Sequence, residues 1–483
     1  VLDDIRDWAR SWAFSHLPRT MEPTSVWNTS SAYGTSVSKG GLAGLMVEEL
    51  RDVEARRGGE LNNLEHELAK KHGIDNCSAG KLARDALLNE EFLKKSHKSC
   101  QVQTVFEHGY KCRVVTKSDF RLVNLGHSVR DLLLRGLRND GRAATTLSGD
   151  HQLAVEQALE GRALSDSKVL SADLTAASDL LPFDLIEALV DGLCDGARGQ
   201  NQAWMRAVLG KTTGPMVMEY QDRAPFISSR GLLMGLPTTW CLLSLVHLFW
   251  VDRAVETCKA LNVHGLGGTP YRSSLRRKAA ICGDDLVALW PASLISEYEA
   301  LVAKCGGKLS TGKHYESDTY GGFTEEFFKI SRRIVKSSQL SADEKKEDWQ
   351  KRASLFGELL DIRVGWLGAV PLRGLVKIPH RDPKDRKCRI PAWMATGATV
   401  EALHRWDSTR ARVVRRVVRT VLADTYSVCI DSFGTLATLP KVFGGLGLLR
   451  NKGDPLKVNL PVHFRRCIAQ GLYGGKDELF ARA

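Results

Sequence analysis

The sequence predicts an α+β chain built from several packed subdomains, and three observations carry that reading. Residues 45–96 repeat apolar side chains with helical periodicity, a short apolar strand from 168 ends in Asp173 while a strand–turn–strand unit at 279–290 carries two acids at its turn, and beyond 331 the chain becomes helical and basic. At 483 residues and 43% hydrophobic content there is enough apolar surface for more than one core. Lys and Arg number 68 against 56 Asp and Glu, and the formal charge of +12 favours a polyanionic partner or an acidic membrane surface.

Eleven cysteines are scattered without the close spacing of a zinc knuckle or a C-x-x-C clip, so they read as reduced, packed thiols of a cytosolic protein. The opening "VLDDIRDWARSW" has no basic segment followed by an apolar core, so no signal peptide is expected there. It also lacks Met, which fits a fragment or a processed product.

Taken in order, "LMVEELRDVEARR", "LNNLEHELAKKHG" and "KLARDALLNEEFLKK" form a solvated helical region, and "KCRVVTKS" (111–118) alternates basic and apolar residues as a strand does. "HSVRDLLLRGLRND" follows as a helix. From 168, "KVLSADLTAASDLLPFDLIEALVDGL" reads as a strand, a small-residue turn and a helix whose start is marked by Ser178, Asp179 and Pro182. "GLLMGLPTTWCLLSLVHLFWV" (231–251) is almost long enough and apolar enough to cross a bilayer. Gly231, Gly235 and Pro237 at its start, with Asp252 and Arg253 just beyond its end, instead predict a glycine-rich loop feeding a buried helix. His247 on that helix reads as a hydrogen-bonded core histidine.

"KAAICGDDLVALW" (278–290) is a strand–turn–strand unit with two carboxylates at its turn, "SEYEALVAKCGGKLS" (296–310) a helix closed by Gly306 and Gly307, and "GGFTEEFFKIS" a turn and strand. "HRDPKDRKCRIP" (380–391) is an exposed loop or linker. "TRARVVRRVVRTVLADT" (409–425) is an amphipathic helix ringed with arginines, suited either to a solvated face or to duplex backbone. The "GLGG" at 265–268 lacks the strand-to-helix setting of a dinucleotide fingerprint.

Asp284 and Asp285, side by side between apolar flanks, repel each other unless a cation neutralises them. A lone GDD is weak evidence, since short acidic turns are usually just solvated. Asp173, however, ends another apolar strand. If the two strands are neighbours, their carboxylates meet on one edge and suit two Mg²⁺ ions and phosphoryl or nucleotidyl transfer.

"DLTAASD" (173–179), "RGLLMGLPTT" (230–239) and "ICGDDLV" (281–287) stand in the order and spacing of polymerase palm motifs. With these motifs, from about 109 to 330, the chain resembles the viral RNA-dependent RNA polymerases of the narnavirus and ourmia-like group, similar also to mitovirus and RNA bacteriophage replicases. "LPKVFGGLGLL" (439–449) has a family look too. The resemblance implies a right-hand fold: fingers with an N-terminal helical region (1–167), an antiparallel-sheet palm with an inserted fingers segment (168–330), and a helical thumb and C-terminal region (331–483). It implies replication of a positive-strand RNA genome in the host cytoplasm, with an RNA template and product, ribonucleoside triphosphates, and Mg²⁺ or in its place Mn²⁺. Host factors are not readable from the sequence.

Residue by residue, the resemblance makes Asp173 and Asp284 the principal metal ligands, with Asp285 supporting them. Asp179 falls where a carboxylate senses the ribose 2′-hydroxyl, its alternative role being a helix N-cap. Gly231, Met234 and Gly235 belong to the loop beside the templating base, and Thr239 assists at the sugar. Many related polymerases carry Asn four residues after that threonine; here Leu243 stands there, so the sugar must rely on Asp179, Thr239 and Ser229. Lys111, Arg113 and Lys117 become triphosphate contacts, or else ordinary strand charges. Lys313 falls where a general acid would protonate pyrophosphate, with Lys308 as its rival. The alternatives are a reverse transcriptase and a non-catalytic basic protein that shelters an RNA genome.

Overall fold

The structure is a computed structural model that describes residues 1–20, 25–106, 112–199, 201–261, 269–335 and 358–369. The helices are α1 (Leu2–His16), α2 (Gly41–His72), α3 (Asn76–Lys95), α4 (Phe120–Leu137), α5 (Gly141–Leu147), α6 (His151–Leu159), α7 (Phe183–Gly196), α8 (Asn201–Thr212), α9 (Thr239–Thr257), α10 (Thr269–Arg277) and α11 (Ala292–Lys304). The strands are β1 (Ser99–Phe106), β2 (Cys112–Ser118), β3 (Gly161–Leu164), β4 (Ser167–Ala172), β5 (Val217–Glu219), β6 (Phe226–Ile227), β7 (Ala279–Cys282), β8 (Asp285–Pro291), β9 (Tyr315–Ser317), β10 (Tyr320–Phe323), β11 (Glu326–Ile334) and β12 (Leu359–Ala369). The architecture is α+β, as the sequence predicts, but the described residues beyond 331 are extended, the end of β11 and all of β12, where the sequence reads as helical.

The chain divides into two compact units. The first, Val1–Thr104 with Val114–Thr324 and Phe328–Gly365, holds almost everything described below. The second, Val105–Arg113 with Glu325–Phe327 and Trp366–Ala483, lies largely outside the described residues. So do the 265–268 loop, the 380–391 linker, the arginine-ringed helix at 409–425 and the 439–449 segment.

The sheet that matters for function runs β7-β8-β4-β9. Its three pairings are all antiparallel, with β8 bonded to β7 on one side and β4 on the other. Both faces of β8 are covered: Leu286, Ala288 and Trp290 enter the main core, and Val287 and Leu289 are equally buried on the other face. Burial on both faces is why "LVALW" is a continuous apolar run rather than an alternating one.

α9 packs beside this sheet and against α11, and nearly every residue from Thr239 to Val255 is buried. A helix that is apolar all round must sit in the middle of something, here protein and not lipid. Among the described residues no helix is long and apolar enough to cross a membrane.

α7 begins after Pro182, which occupies the N-cap position with extended backbone, so Ser178 and Asp179 precede the helix rather than cap it. The segment between β4 and α7 is held elsewhere: Leu232 N–H donates to Ser178 O and Thr175 N–H to Lys308 O. α4 likewise starts earlier than its sequence suggests, at Phe120, because Asp119 caps it by accepting from Arg121 N–H.

α1 crosses α7 at Gly192 and Gly196, where any Cβ would collide with the carbonyl oxygens of Arg6 and Arg10. Close backbone approach of this kind is what glycine permits. α1 is further tied to the core by its indoles: Trp8 Nε1–H donates to Asp252 at 2.8 Å and Trp12 Nε1–H to Asp140 at 3.2 Å. Both carboxylates also hold Arg142. The eight described cysteines are free thiols, and those at 100, 194, 241, 258 and 305 are buried.

Candidate active site

The register of β4 against β8 builds the site. Ser171 pairs with Val287 and Ala172 with Leu286, so the next position of each strand sets Asp173 opposite Asp285. Directly opposed residues of an antiparallel pair share a face, so the two carboxylates meet. β7 and β8 close on each other with Cys282 opposite Asp285, which leaves Gly283 and Asp284 as the turn. Gly283 has φ +65°, and a Cβ on it would lie 2.6 Å from Trp240 Nε1, so both the turn and the indole require glycine.

The carboxyl of Asp285 is pushed up to about 7, first by burial, then by the charges of Asp284 and Asp173, with the Lys313 ammonium opposing the rise. It also shares a side-chain hydrogen bond with Asp173. This is electrostatic frustration of the kind a divalent cation relieves.

Lys313 reaches the cluster because the chain returns antiparallel beside Asp173. Leu174 bridges to Leu309, Ser310 N–H donates to Asp173 O at 2.8 Å, and the turn through 310–313 sets Lys313 Nζ 3.4 Å from Asp173 Oδ1. Lys308 is exposed and contributes its backbone carbonyl to Thr175 N–H. Of the two lysines weighed on the sequence, Lys313 is the one whose ammonium stands at the acidic cluster.

The glycine-rich loop borders the same edge. Gly231 has φ +92°, and a Cβ there would lie 2.7 Å from Asp179 O, which brings the loop against the turn that carries Asp179. Gly235 N–H donates to Thr116 Oγ1 at 3.2 Å, so β2 lies along its other side. Asp179 is solvent-facing, with Ser178 Oγ–H donating to it at 3.3 Å. Thr239 Oγ1–H donates to Leu233 O at 2.6 Å, which engages the hydroxyl in shaping its own loop. Ser229 is exposed, Met234 is half exposed, and Leu243 is buried in the core. Lys117 lies on β2; Arg113, on the same strand, belongs to the second unit, and Lys111 lies outside the described residues.

Sequence reasoning missed what holds the turn from behind. His247 does read correctly as a hydrogen-bonded core histidine, but its partners are Gly283 O at 3.0 Å and Tyr298 Oη at 2.7 Å. Its seven-residue spacing from Trp240, two turns of one helix, is the signal that could have placed both on the same face.

Oxygen ligands are the right chemistry for Mg²⁺, and the three carboxylates supply them at one edge. Among the described residues, no group of three acidic, His or Cys side chains is placed, as it stands, to hold a metal ion. A Mg²⁺ site here would therefore draw on water and substrate oxygens as well, as is usual for that ion.

An apolar antiparallel sheet with acidic residues at one edge, a lysine against them and a glycine-rich loop beside them has the donor chemistry that metal-assisted phosphoryl or nucleotidyl transfer requires. No family model matches the sequence. The chain is 30% identical, over 93% of its length, to the RNA-directed RNA polymerase of Saccharomyces 23S RNA narnavirus, and 29% identical over 98% to that of Saccharomyces 20S RNA narnavirus. It spans about half the length of these curated relatives, 53% and 54%. Over the part of them that it spans, the chain is similar in sequence to the narnavirus RNA-directed RNA polymerases. Among solved structures it is similar to the RNA-dependent RNA polymerase of a human picorbirnavirus and to an insertion-loop deletion mutant of that protein, both at 14% identity and TM-score 0.42, with 64% and 65% of this chain covered and 54% and 59% of theirs.

Proposed function

We propose that the chain is the catalytic part of an RNA-directed RNA polymerase that copies a positive-strand viral genome from ribonucleoside triphosphates. The observation that carries this reading is the β4–β8 register, which sets Asp173 opposite Asp285 beside Asp284, with Lys313 Nζ 3.4 Å from Asp173. Homology to proteins named RNA-directed RNA polymerase supports it, and so does the basic balance of the chain, since template and product are both polyanions.

In this reading Asp173, Asp284 and Asp285 hold Mg²⁺, which would supply positive charge to the attacking 3′-hydroxyl, the reacting phosphate and the departing pyrophosphate. Lys313 hands a proton to pyrophosphate as it leaves. Asp179 accepts a hydrogen bond from the ribose 2′-hydroxyl. The backbone of Gly231 to Gly235 gives the nascent base pair room, and the basic strand β2 binds the triphosphate through Lys117. Fingers, palm and thumb follow the boundaries given above, and the place of action is the host cytoplasm.

Purified protein incubated with RNA, Mg²⁺ and all four ribonucleotides should yield template-length product. Deoxyribonucleotides offered on the same template should be poor substrates. Preference for deoxyribonucleotides would identify a reverse transcriptase, and RNA binding with no incorporation a sheltering protein.

A further inference from the structure

The acidic turn is clasped from two sides by one helix. Trp240, at the start of α9, lays its indole against Gly283, and His247, seven residues on, reaches the carbonyl oxygen of the same glycine. His247 is fully buried, and T-shaped contacts with Trp250 and stacking on Tyr298 fix its ring. Gly283 O can only accept, so Nδ1 carries the proton; Nε2 then accepts from the Tyr298 hydroxyl. Burial holds this imidazole down to about 4, so it is neutral with a single defined tautomer. α9, α11 and the turn between β7 and β8 are thereby joined through one ring.

Resting on the polymerase reading above, we propose that His247 is a positioning residue: its Nδ1–H, with the Trp240 indole behind it, fixes the turn that presents Asp284 and Asp285 to Asp173. Two adjacent carboxylates that repel each other pull their turn outward, toward water. A buried donor on the Gly283 carbonyl opposes that pull, because moving the turn out would strand both the carbonyl and the imidazole without partners. Nothing in this role needs His247 to touch substrate or metal.

The test compares His247→Asn, whose amide N–H occupies the place of Nδ1, with His247→Gln, which reaches Tyr298 but not Gly283, and His247→Leu, which reaches neither. Mn²⁺ binding to the full chain is read by electron paramagnetic resonance, alongside the Mg²⁺ dependence of nucleotide incorporation. The Gln and Leu variants should bind Mn²⁺ at least about fivefold more weakly and need correspondingly more Mg²⁺. Their kcat should fall while the KM for nucleotide at saturating Mg²⁺ stays near that of the wild type.

His247→Asn should remain within about twofold of the wild type throughout. Should His247→Leu fail to fold, as judged by its melting curve, the Asn and Gln pair decides alone. Equal values for those two overturn the proposal, as does wild-type Mn²⁺ binding by His247→Leu. A wild-type protein that binds Mn²⁺ but incorporates nothing would sink the polymerase reading and leave the positioning role to be decided by the Mn²⁺ series.

Discussion

The amide of Gly235 donates to Thr116 Oγ1, and a Cβ at Gly235 would collide with the Thr116 carbonyl oxygen. The glycine-rich loop and strand β2 are thus one surface, on which the loop cannot move without the strand. Gly235→Ala must push the two apart. Incorporation should drop at least about tenfold while the melting temperature falls only a few degrees, because the displaced segment is a loop rather than the core. Full activity in this variant would show that the contact is dispensable.

Asp284→Asn and Asp173→Asn should each cut incorporation about a thousandfold or more, the effect of losing several kcal/mol of charge stabilisation. Neither should destabilise the fold. Asp285 is already raised by the charges of both neighbours, so neutralising either relieves repulsion and should leave the melting temperature equal or higher. Thermal melts beside product assays check both halves.

In the proposed reading Lys313 has two separable jobs, offsetting the charge on Asp173 and giving up a proton. Arginine can do the first but holds its proton too tightly for the second. Lys313→Arg should therefore be nearly as slow as Lys313→Ala in kcat, with little change in KM for nucleotide. Recovery of activity by the arginine variant would reduce the lysine to a counter-charge.

Asp179 faces solvent beside the loop at Gly231, where a sugar could lie. A hydrogen bond between a carboxylate and a hydroxyl is worth about 1.5–3 kcal/mol. Asp179→Ala should accordingly lower the preference for ribonucleotides over deoxyribonucleotides roughly tenfold or more. Competition between labelled substrates on one template measures the ratio, and an unchanged ratio removes Asp179 from the sugar pocket.

The helix crossing of α1 on α7 depends on Gly192 and Gly196. Adding one methyl at either forces backbone against backbone and should cost on the order of 2–3 kcal/mol, read from denaturant unfolding. Wild-type stability in Gly192→Ala would mean that α1 can slide along its partner.

The site was legible where chemistry is local in sequence. Adjacent acids between apolar flanks, glycines opening a buried helix and a strand ending in Asp173 all leave marks within a few residues, and β7, β8, α9 and α11 lie close to where those marks put them. What escaped involves partners far apart. The parallel pairing of Ser99 with Val217, the β3–β12 pairing, and the His247–Gly283–Tyr298 chain each need a register or a helix rotation that no single stretch encodes. The late end of the "DLTAASD" segment hides its partners for the same reason: Ser178 and Asp179 look like helix caps, yet Pro182 holds that position and the turn is held by Lys308 and Leu232, far away in the chain. The parting of Asp284 from Asp285 was likewise invisible, since only the β4–β8 register shows that Asp285 is the one facing Asp173.

The bond from Trp8 to Asp252 spans 244 positions. During synthesis the Trp8 indole must wait for a segment made far later before it finds this partner, and contacts of such long sequence separation close slowly. A nascent chain halted short of α9 would lack both Asp252 and Phe249, the partners of Trp8, which leaves this indole open to aggregation or to capture by chaperones over that interval.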